Sequence, residues 1–238
     1  MKLFIREPIT MFFTFALPLL FLFVLGNVFD NVSTRGLPEF RPFKPMDFYT
    51  SAYICLVLTS VGIVALSGHL ASYRERGVLR RFRASSLSLW RVYLAQSLVS
   101  IATAAVGGIL VVVAAILSFH VKLPVNPLLV LVAFLVNALS FVSLGILLGA
   151  ILPNSRASQG VGLVLFFVML ILGGAGPPPS TMTEAMKVAG DFTPLRHSVT
   201  LMQDAWLGRG WNWTEFGIVA AIFVVSLTIT TFVVRRNP

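Results

Sequence analysis

Arginine is the residue type best suited to do chemistry in this sequence, and it is concentrated in one stretch. Residues 72–91, SYRERGVLRRFRASSLSLWR, hold six of the eighteen lysines and arginines of the chain. The guanidinium group of arginine binds carboxylates and phosphates through paired hydrogen bonds. The stretch is therefore predicted to bind an acidic partner or an anionic surface.

Other residue patterns that could carry catalysis are weak. Ser67 with His69 and His197 with Ser198 would suggest an intramembrane protease, but closeness in sequence does not supply the geometry of a nucleophile and its base. Cys55 is the only cysteine, which predicts neither a disulfide framework nor a cysteine-bound metal. No G-x-x-x-x-G-K-[ST] motif occurs, so the chain lacks that phosphate-binding loop. We expect no catalytic residue, metal or cofactor in this chain.

The composition identifies the medium in which the arginines must be positioned. Hydrophobic residues make up 57% of the chain, charged residues only 11%, and the mean hydropathy is +0.89. Soluble domains carry about 25% charged residues, so this chain has too little polar surface to face water on all sides. The net charge of +9 does not indicate nucleic-acid binding, because most of the chain has no water-facing basic surface. Runs of eighteen or more apolar residues predict membrane-spanning helices.

The apolar runs predict an all-α integral membrane protein with one membrane domain over residues 1–238. Proline, glycine and charged residues separate the runs. The first run follows two cations but is longer than the apolar part of a signal peptide, so we expect it to be retained. Six spans are predicted, over residues 9–29, 48–70, 92–119, 128–152, 160–176 and 216–234.

The loop charges predict the orientation of the spans. With the N-terminus in the cytoplasm, the inner segments carry eleven cations and two anions, and the outer segments carry seven of each. The whole net charge of +9 then lies on one side, as the excess of arginine and lysine in cytoplasmic loops requires. We expect a multi-pass protein of the cytoplasmic membrane with both termini in the cytoplasm.

Within the arginine-rich stretch, the spacing predicts a short amphipathic helix. Val78, Leu79 and Phe82 form an apolar edge, and Arg74 and Arg81 lie seven residues apart on another face. Such a helix in a cytoplasmic loop could dock a soluble protein. The alternative is that the arginines only anchor two helix ends to anionic lipid.

The stretch YRERGVLRRFRASSLS resembles the loop after the second span in permeases of the type-2 ABC exporter family. Arg74, Glu75, Gly77, Leu79, Leu87 and Ser88 match the family pattern, whereas Tyr73, Val78 and Ser86 depart from it. FIREPITMFFTFALPLLFLFVLGNVF resembles the entry into the first span of that family. DFTPLRHSVTLMQDAWLG resembles the outer segment before its last span.

The resemblance implies the membrane half of an ATP-driven exporter. ATP and Mg would be bound by separate nucleotide-binding ATPase subunits, and a second permease copy would complete a homodimer embedded in membrane lipid. The arginine-rich stretch would be the coupling helix that inserts into the ATPase. Its contact residues would be Arg74, Glu75, Arg76, Gly77, Val78, Leu79, Arg80, Arg81 and Phe82.

The resemblance also implies that the second and fifth spans line the translocation path. Tyr53, Ser60 and Ser67 repeat every seven residues in the second span, which indicates either substrate contact or close helix packing. Gly145 and Gly149 are predicted to serve packing. The candidates for substrate contact are Tyr53, Thr59, Ser60, Phe166, Phe167 and Met169.

In the last outer loop, helical spacing of apolar residues predicts an amphipathic helix. We expect it to lie in the outer leaflet and to cap the exit between the two halves. Its apolar face consists of Leu195, Val199, Met202 and Trp206, and Trp206, Trp211 and Trp213 fit an outer aromatic belt.

A path of aromatic, methionine and hydroxyl side chains suits an amphipathic or lipid-like substrate. We therefore expect export of a drug or antibiotic, with a link to antibiotic resistance; export of a polysaccharide or glycolipid is the alternative. A transporter driven by an ion gradient usually keeps ionisable residues inside the membrane, and the predicted span interiors contain no Asp or Glu. A non-transporting receptor or scaffold is the alternative of another class.

Overall fold

The computed structural model describes residues 11–31, 43–78, 89–178 and 181–236. All regular elements in these ranges are helices, which we number α1 to α8. Helix α1 comprises Phe12–Ala16 and Leu17–Asn31, and α2 comprises Pro45–Thr59, Ser60–Leu66 and Ser67–Glu75. The others are α3 (Leu89–Phe119), α4 (Pro127–Ile151), α5 (Ser155–Leu172), α6 (Glu184–Asp191), α7 (Pro194–Leu207) and α8 (Trp213–Arg236).

The described helices confirm a helical, multi-pass membrane protein. Five of them, α2, α3, α4, α5 and α8, are long and apolar enough to cross a membrane. The first predicted span corresponds to α1, whose apolar part, Phe12–Val28, is shorter than these five. Among the residues that the structure describes, five helices are thus of full spanning length, and the sixth predicted span stays a prediction.

Helix α2 is the central element of the bundle. In the most apolar eighteen-residue segment of α2, 94% is buried inside the bundle. In α8 the corresponding share is 17%, so α8 lies mainly on the outside. The 31 residues of α2 extend over about 46 Å at 1.5 Å per residue. Because a hydrocarbon core is about 30 Å thick, α2 is long enough to connect the two ends of the bundle.

Glycines allow α4 and α5 to pack directly against the backbone of α2. A Cβ at Gly145 would collide with the carbonyl group of Gly62, and one at Gly149 would lie 2.9 Å from the carbonyl oxygen of Ser67. A Cβ at Gly162 of α5 would lie 2.6 Å from a carbonyl oxygen of α2. Small residues at helix interfaces permit such close approach in membranes. The prediction that Gly145 and Gly149 serve packing is confirmed.

The middle of α2 is wound as a π-helix over Ser60–Leu66. This conformation is rare and occurs mostly as short insertions within α-helices, frequently at functional sites. It is also one of the recognised causes of a helix bend. The π-helical segment separates the predicted path residue Tyr53 from the end of α2 that carries Arg74.

The ends of α2 differ from the predicted span 48–70. The helix begins at Pro45, which is well suited to the first helical position because its missing N–H needs no partner there. The buried carboxylate of Asp47 accepts hydrogen bonds from the backbone N–H groups of Lys44, at 3.1 Å, and Lys122, at 3.0 Å. An acidic residue thus lies in the first turn, where it stabilises the helix and holds the loop between α3 and α4.

The fifth span is also displaced from its predicted range, 160–176. It begins at Ser155 because the side chain of Asn154 accepts a hydrogen bond from the N–H of Ala157 at 2.8 Å and caps the first turn. It ends at Leu172, shortly before Gly174, whose φ of +83° cannot continue a right-handed helix. Residues 173–176 therefore belong to the following loop.

Candidate functional site

Contacts between the helices define two ends of the bundle. At one end, the last turn of α2 meets the connection between α4 and α5, and we call this the arginine-rich end. At the other end, the start of α2 contacts the loop before α4, and Val125 of that loop bonds to Trp206. Trp211 and Trp213 lie at this tryptophan-rich end and are in edge-to-face contact, with their ring centroids 6.3 Å apart. Aromatic residues of this kind are typical of a membrane interface.

At the arginine-rich end, Arg74 joins α2 to α4. Its Nη1 atom donates a hydrogen bond to the carbonyl oxygen of Ala150 in the last turn of α4. The last carbonyl groups of a helix lack partners within the helix and carry a partial negative charge. A cation is therefore favourable at this position, and Arg74 is half-buried there.

Glu75 makes the complementary contact with α5. Its Oε2 atom accepts a hydrogen bond from the N–H of Ser155, the first residue of α5, at 3.1 Å. The start of a helix carries a partial positive charge and unpaired N–H groups. Consecutive residues of α2 thus hold the end of one span and the beginning of the next. Together they restrain the α4–α5 connection.

The predicted coupling helix differs from this arrangement in its first part. Arg74 and Glu75 form the last turn of α2 and not the start of a separate helix. The break follows at Arg76 and Gly77. Gly77 has a φ of +67°, and a Cβ added there would meet nothing within 4 Å, so the turn itself and not crowding requires glycine. Val78 is the last described residue of the segment, and the predicted contacts Leu79, Arg80, Arg81 and Phe82 lie outside the described residues.

The predicted path residues lie inside the bundle of the single chain. Tyr53, Thr59, Ser60 and Phe166 have no exposed surface, and Met169 is also buried. Phe167 differs, because 42% of its surface is exposed. A path along the buried residues would require the surrounding helices to separate, so their contact with substrate stays a prediction.

Two of the hydroxyl groups proposed for the path bond to the carbonyl groups of their own helix. Thr59 donates to Cys55 at 2.8 Å, and Ser60 donates to Val57 at 2.9 Å. The hydroxyl group of Tyr53 is buried and has no hydrogen-bond partner among the described residues. Burying a hydroxyl without a partner is costly. Tyr53 is therefore the hydroxyl of this set that is free to bond to another molecule.

The phenylalanines of the predicted path form an aromatic cluster with α1. Phe13 of α1 contacts Phe166 and Phe167 edge-to-face, with ring centroids 5.8 and 5.9 Å apart. Edge-to-face pairs contribute about 0.5–1.5 kcal/mol beyond their burial. The cluster attaches α1 to α5 beside the π-helical segment of α2.

The predicted outer helix is present as α7, but its surroundings differ from the expectation. Leu195, Val199, Met202 and Trp206 are all buried, and α7 packs against α2, α4 and α8. The apolar face therefore contacts the bundle of its own chain. Helical spacing alone could not distinguish these cases, because bundle interior and lipid are both apolar. A role in capping the exit stays a prediction.

Asn137, in the middle of α4, is a residue that the sequence reasoning missed. Its amide nitrogen donates to the carbonyl oxygen of Ser198 in α7 at 3.2 Å, and Cys55 of α2 contacts the same oxygen at 3.4 Å. The presence of an amide side chain within an apolar span could have predicted this contact, because polar side chains form hydrogen bonds between helices in membranes. These contacts fix α7 between α2 and α4.

A second missed contact joins α7 to α8. His197 lies with Nδ1 at 2.7 Å from Oε2 of Glu215 and Nε2 at 2.8 Å from the carbonyl oxygen of Asp191. The two ring nitrogens thus contact oxygen atoms on opposite sides, a carboxylate oxygen of α8 and a backbone carbonyl oxygen at the end of α6. The pair is only partly exposed and ties α7 to the start of the last span.

Comparisons with known proteins agree with this architecture. The ABC-2 type transporter family model matches residues 1–207. The chain is 19% identical over 180 residues to the probable multidrug ABC transporter permease YbhR of Escherichia coli strain K12, and equally to that of E. coli O157:H7. These alignments cover 73% of this chain and 49% of each relative, so the chain spans about half the length of the curated relatives it matches. The chain belongs to the ABC-2 type transporter family, as a transmembrane permease component.

Proposed function

We propose that this chain is the membrane subunit of an exporter driven by ATP hydrolysis on separate ATPase subunits. The observation that carries the proposal is the connection made by α2. This helix runs from Tyr53, beside the predicted path, to Arg74 and Glu75, which contact both α4 and α5. A displacement of the arginine-rich end would therefore act on three spans at once.

The division of labour follows from the residues. The sequence has no G-x-x-x-x-G-K-[ST] motif, so ATP and Mg would be held by the partner subunits. The arginine-rich end would face the cytoplasm, with both termini on that side, because the net charge of the chain lies there. The ATPase would dock on residues 74–82. A second permease copy would form the other half of the path, most simply as a homodimer.

The substrate class proposed is an amphipathic or lipid-like compound, such as a drug or antibiotic. Support comes from the apolar and aromatic surroundings of the predicted path and from the unpartnered hydroxyl of Tyr53, which offers one polar contact. The similarity to a probable multidrug permease favours the same class. A polysaccharide or glycolipid is the second candidate, because the family resemblance covers permeases for those substrates.

Transport by a purified complex tests the proposal. The permease should be co-expressed with a candidate Walker-motif ATPase subunit of the same organism, and the complex reconstituted into inside-out vesicles. We expect ATP-dependent uptake of a fluorescent amphipathic dye, and none when the Walker lysine of the ATPase is replaced by alanine. A lipid-linked glycan in place of the dye tests the second candidate. Absence of a complex with the ATPase would contradict the proposed function.

A further inference from the structure

An apolar groove opens between α3 and α4 near the tryptophan-rich end. It has a volume of about 400 Å³, and every side chain that lines it is apolar or aromatic. Ile54 of α2 and Met202 and Trp206 of α7 form its floor, because these three are buried in the bundle. Ile109 and Leu131, on its two sides, are more than half exposed. The groove is therefore open on the side of the bundle that faces lipid.

The groove runs along the two helices from the tryptophan-rich end toward the middle of the bundle. Its lining on α3 extends from Ala105 to Val113, which is about 12 Å at 1.5 Å per residue. Leu123 and Pro124, in the loop between α3 and α4, line its mouth. Half of a hydrocarbon core is about 15 Å thick. The length of the groove thus matches the depth of one leaflet.

The size of the groove distinguishes between the apolar molecules that could fill it. An α-helix with its side chains is about 10 Å across and occupies about 420 Å³ per turn. The groove would hold only one such turn, so it is too small to take up a span of a second copy. A single acyl chain is thinner and flexible, and in a leaflet it lies in the same direction as the groove.

The charged residues at the mouth of the groove suit a phosphate group. Lys122 directly precedes the loop residues of the mouth, and Lys44 lies beside it because the carboxylate of Asp47 accepts hydrogen bonds from the backbone N–H groups of both lysines. Both lysine side chains are exposed, and neither forms an ion pair in the part of the chain that the structure describes. The carboxylate of Asp47 is buried, and that of Asp204 in α7 is paired with Arg209. The unpaired charge at the mouth is therefore positive.

We infer that the groove binds one membrane phospholipid, with an acyl chain against α2, α3, α4 and α7 and the headgroup phosphate at Lys122. Lysine binds phosphates, and its long side chain can keep the charged group at the membrane interface. The inference goes beyond the proposed function, because this lipid is a bound component and not the transported substrate. It would fill the gap between α3 and α4 and support α7 through Met202 and Trp206.

Native mass spectrometry of the full permease in detergent, titrated with dioleoylphosphatidylglycerol, tests the inference. Gly108→Leu and Ala105→Leu fill the deep end of the groove. A Cβ at Gly108 would make only ordinary contacts, 3.5 Å from Ile54 and 3.8 Å from Phe134, so a larger residue can extend into the groove. Gly160→Leu is the matched control, because Gly160 is exposed in a spanning helix, has open space around it and lies outside the groove. Equal elution volumes on size-exclusion chromatography establish that each variant is folded.

We expect the wild type and Gly160→Leu to bind one phospholipid tightly per chain. Each groove-filling variant should raise its Kd at least about tenfold, the effect of excluding two methylene groups from an apolar site. Lys122→Gln should raise the Kd about fivefold, the factor for one lysine near an anionic surface, whereas Lys122→Arg should keep the wild-type value. Lys187→Gln is the control for charge, because Lys187 lies in α6, outside the groove, and should leave the Kd unchanged.

Three results would overturn the inference. Equal Kd values for Gly108→Leu, Ala105→Leu and Gly160→Leu would show that lipid binds only to the general surface of the bundle. Binding of a fluorescent amphipathic dye in place of phospholipid, abolished by both groove variants, would assign the groove to the transported substrate. Loss of a dimer mass in both groove variants would assign it to a second copy. Because these measurements do not involve the ATPase, their failure would leave the proposed function untouched.

Discussion

The packing of α4 against α2 makes a prediction that depends on two glycines with opposite surroundings. A Cβ at Gly145 would collide with the carbonyl group of Gly62, whereas a Cβ at Gly160 would meet nothing within 4 Å. Both glycines lie in spanning helices. The changes Gly145→Ala and Gly160→Ala therefore add the same methyl group in an occupied and in an open position.

The expected magnitudes follow from two opposing effects. Alanine favours a helix over glycine by about 0.8–1 kcal/mol, and this gain should appear for Gly160→Ala. Overpacking in a tight interior costs about 1–3 kcal/mol. Gly145→Ala should gain the same helix propensity as Gly160→Ala but should also bear this overpacking cost. Because α2 and α4 meet there through backbone atoms, no side chain can rotate away to relieve the collision. We expect Gly145→Ala to be less stable than Gly160→Ala by about 1–3 kcal/mol.

Thermal unfolding of the detergent-solubilised permease measures this difference. One kcal/mol shifts Tm by about 2–4 °C in a chain of this size, so Gly145→Ala should melt at least about 2 °C below Gly160→Ala. Its ATPase stimulation in the complex should fall as well, because the contact aligns α2 with α4. Equal melting temperatures, or a higher one for Gly145→Ala, would refute the close approach of the two helices.

Three further predictions concern topology, capping and the internal amide. In a Cys55→Ser background, Pro153→Cys and Phe192→Cys should react with an impermeant maleimide from opposite sides of the membrane; labelling of both from one side would contradict the proposed topology. Glu75→Ala should destabilise the start of α5 by about 0.5–1 kcal/mol, which is the lower part of the range for capping residues because Glu75 is exposed. Amide hydrogen exchange in the first turn of α5 should become faster. Glu75→Gln keeps an acceptor and should therefore cause a smaller loss of stability. Asn137→Leu should lower Tm by removing the hydrogen bond from α4 to the carbonyl group of Ser198, which contributes about 0.5–1.5 kcal/mol; an unchanged Tm would show that α7 is held without this bond.

The positions of the spans could be predicted from hydropathy, because burial in lipid and an apolar run are directly related. The ends of the spans could not. Helix α2 continues to Glu75 because Arg74 and Glu75 find partners on α4 and α5, and these contacts join residues 76 and 80 positions apart. A window of neighbouring residues contains no information about such partners.

The candidate site was predictable in part for the same reason. The density of arginine identified the end of the bundle at which Arg74 and Glu75 join α2 to α4 and α5. Glu75 was expected to face the ATPase, yet its carboxylate contacts Ser155 within the chain.

The most direct test of the central claim is the ATP turnover of the partner ATPase, measured with and without the reconstituted permease. We expect no turnover from the permease alone and a higher rate for the complex than for the ATPase alone. Leu79→Asp, which places a charge on the predicted apolar edge, should abolish this stimulation without preventing membrane insertion, whereas Arg235→Ala, a change near the C-terminus on the same side of the membrane, should preserve it. Turnover by the permease alone, or equal stimulation by the wild type and Leu79→Asp, would contradict the account.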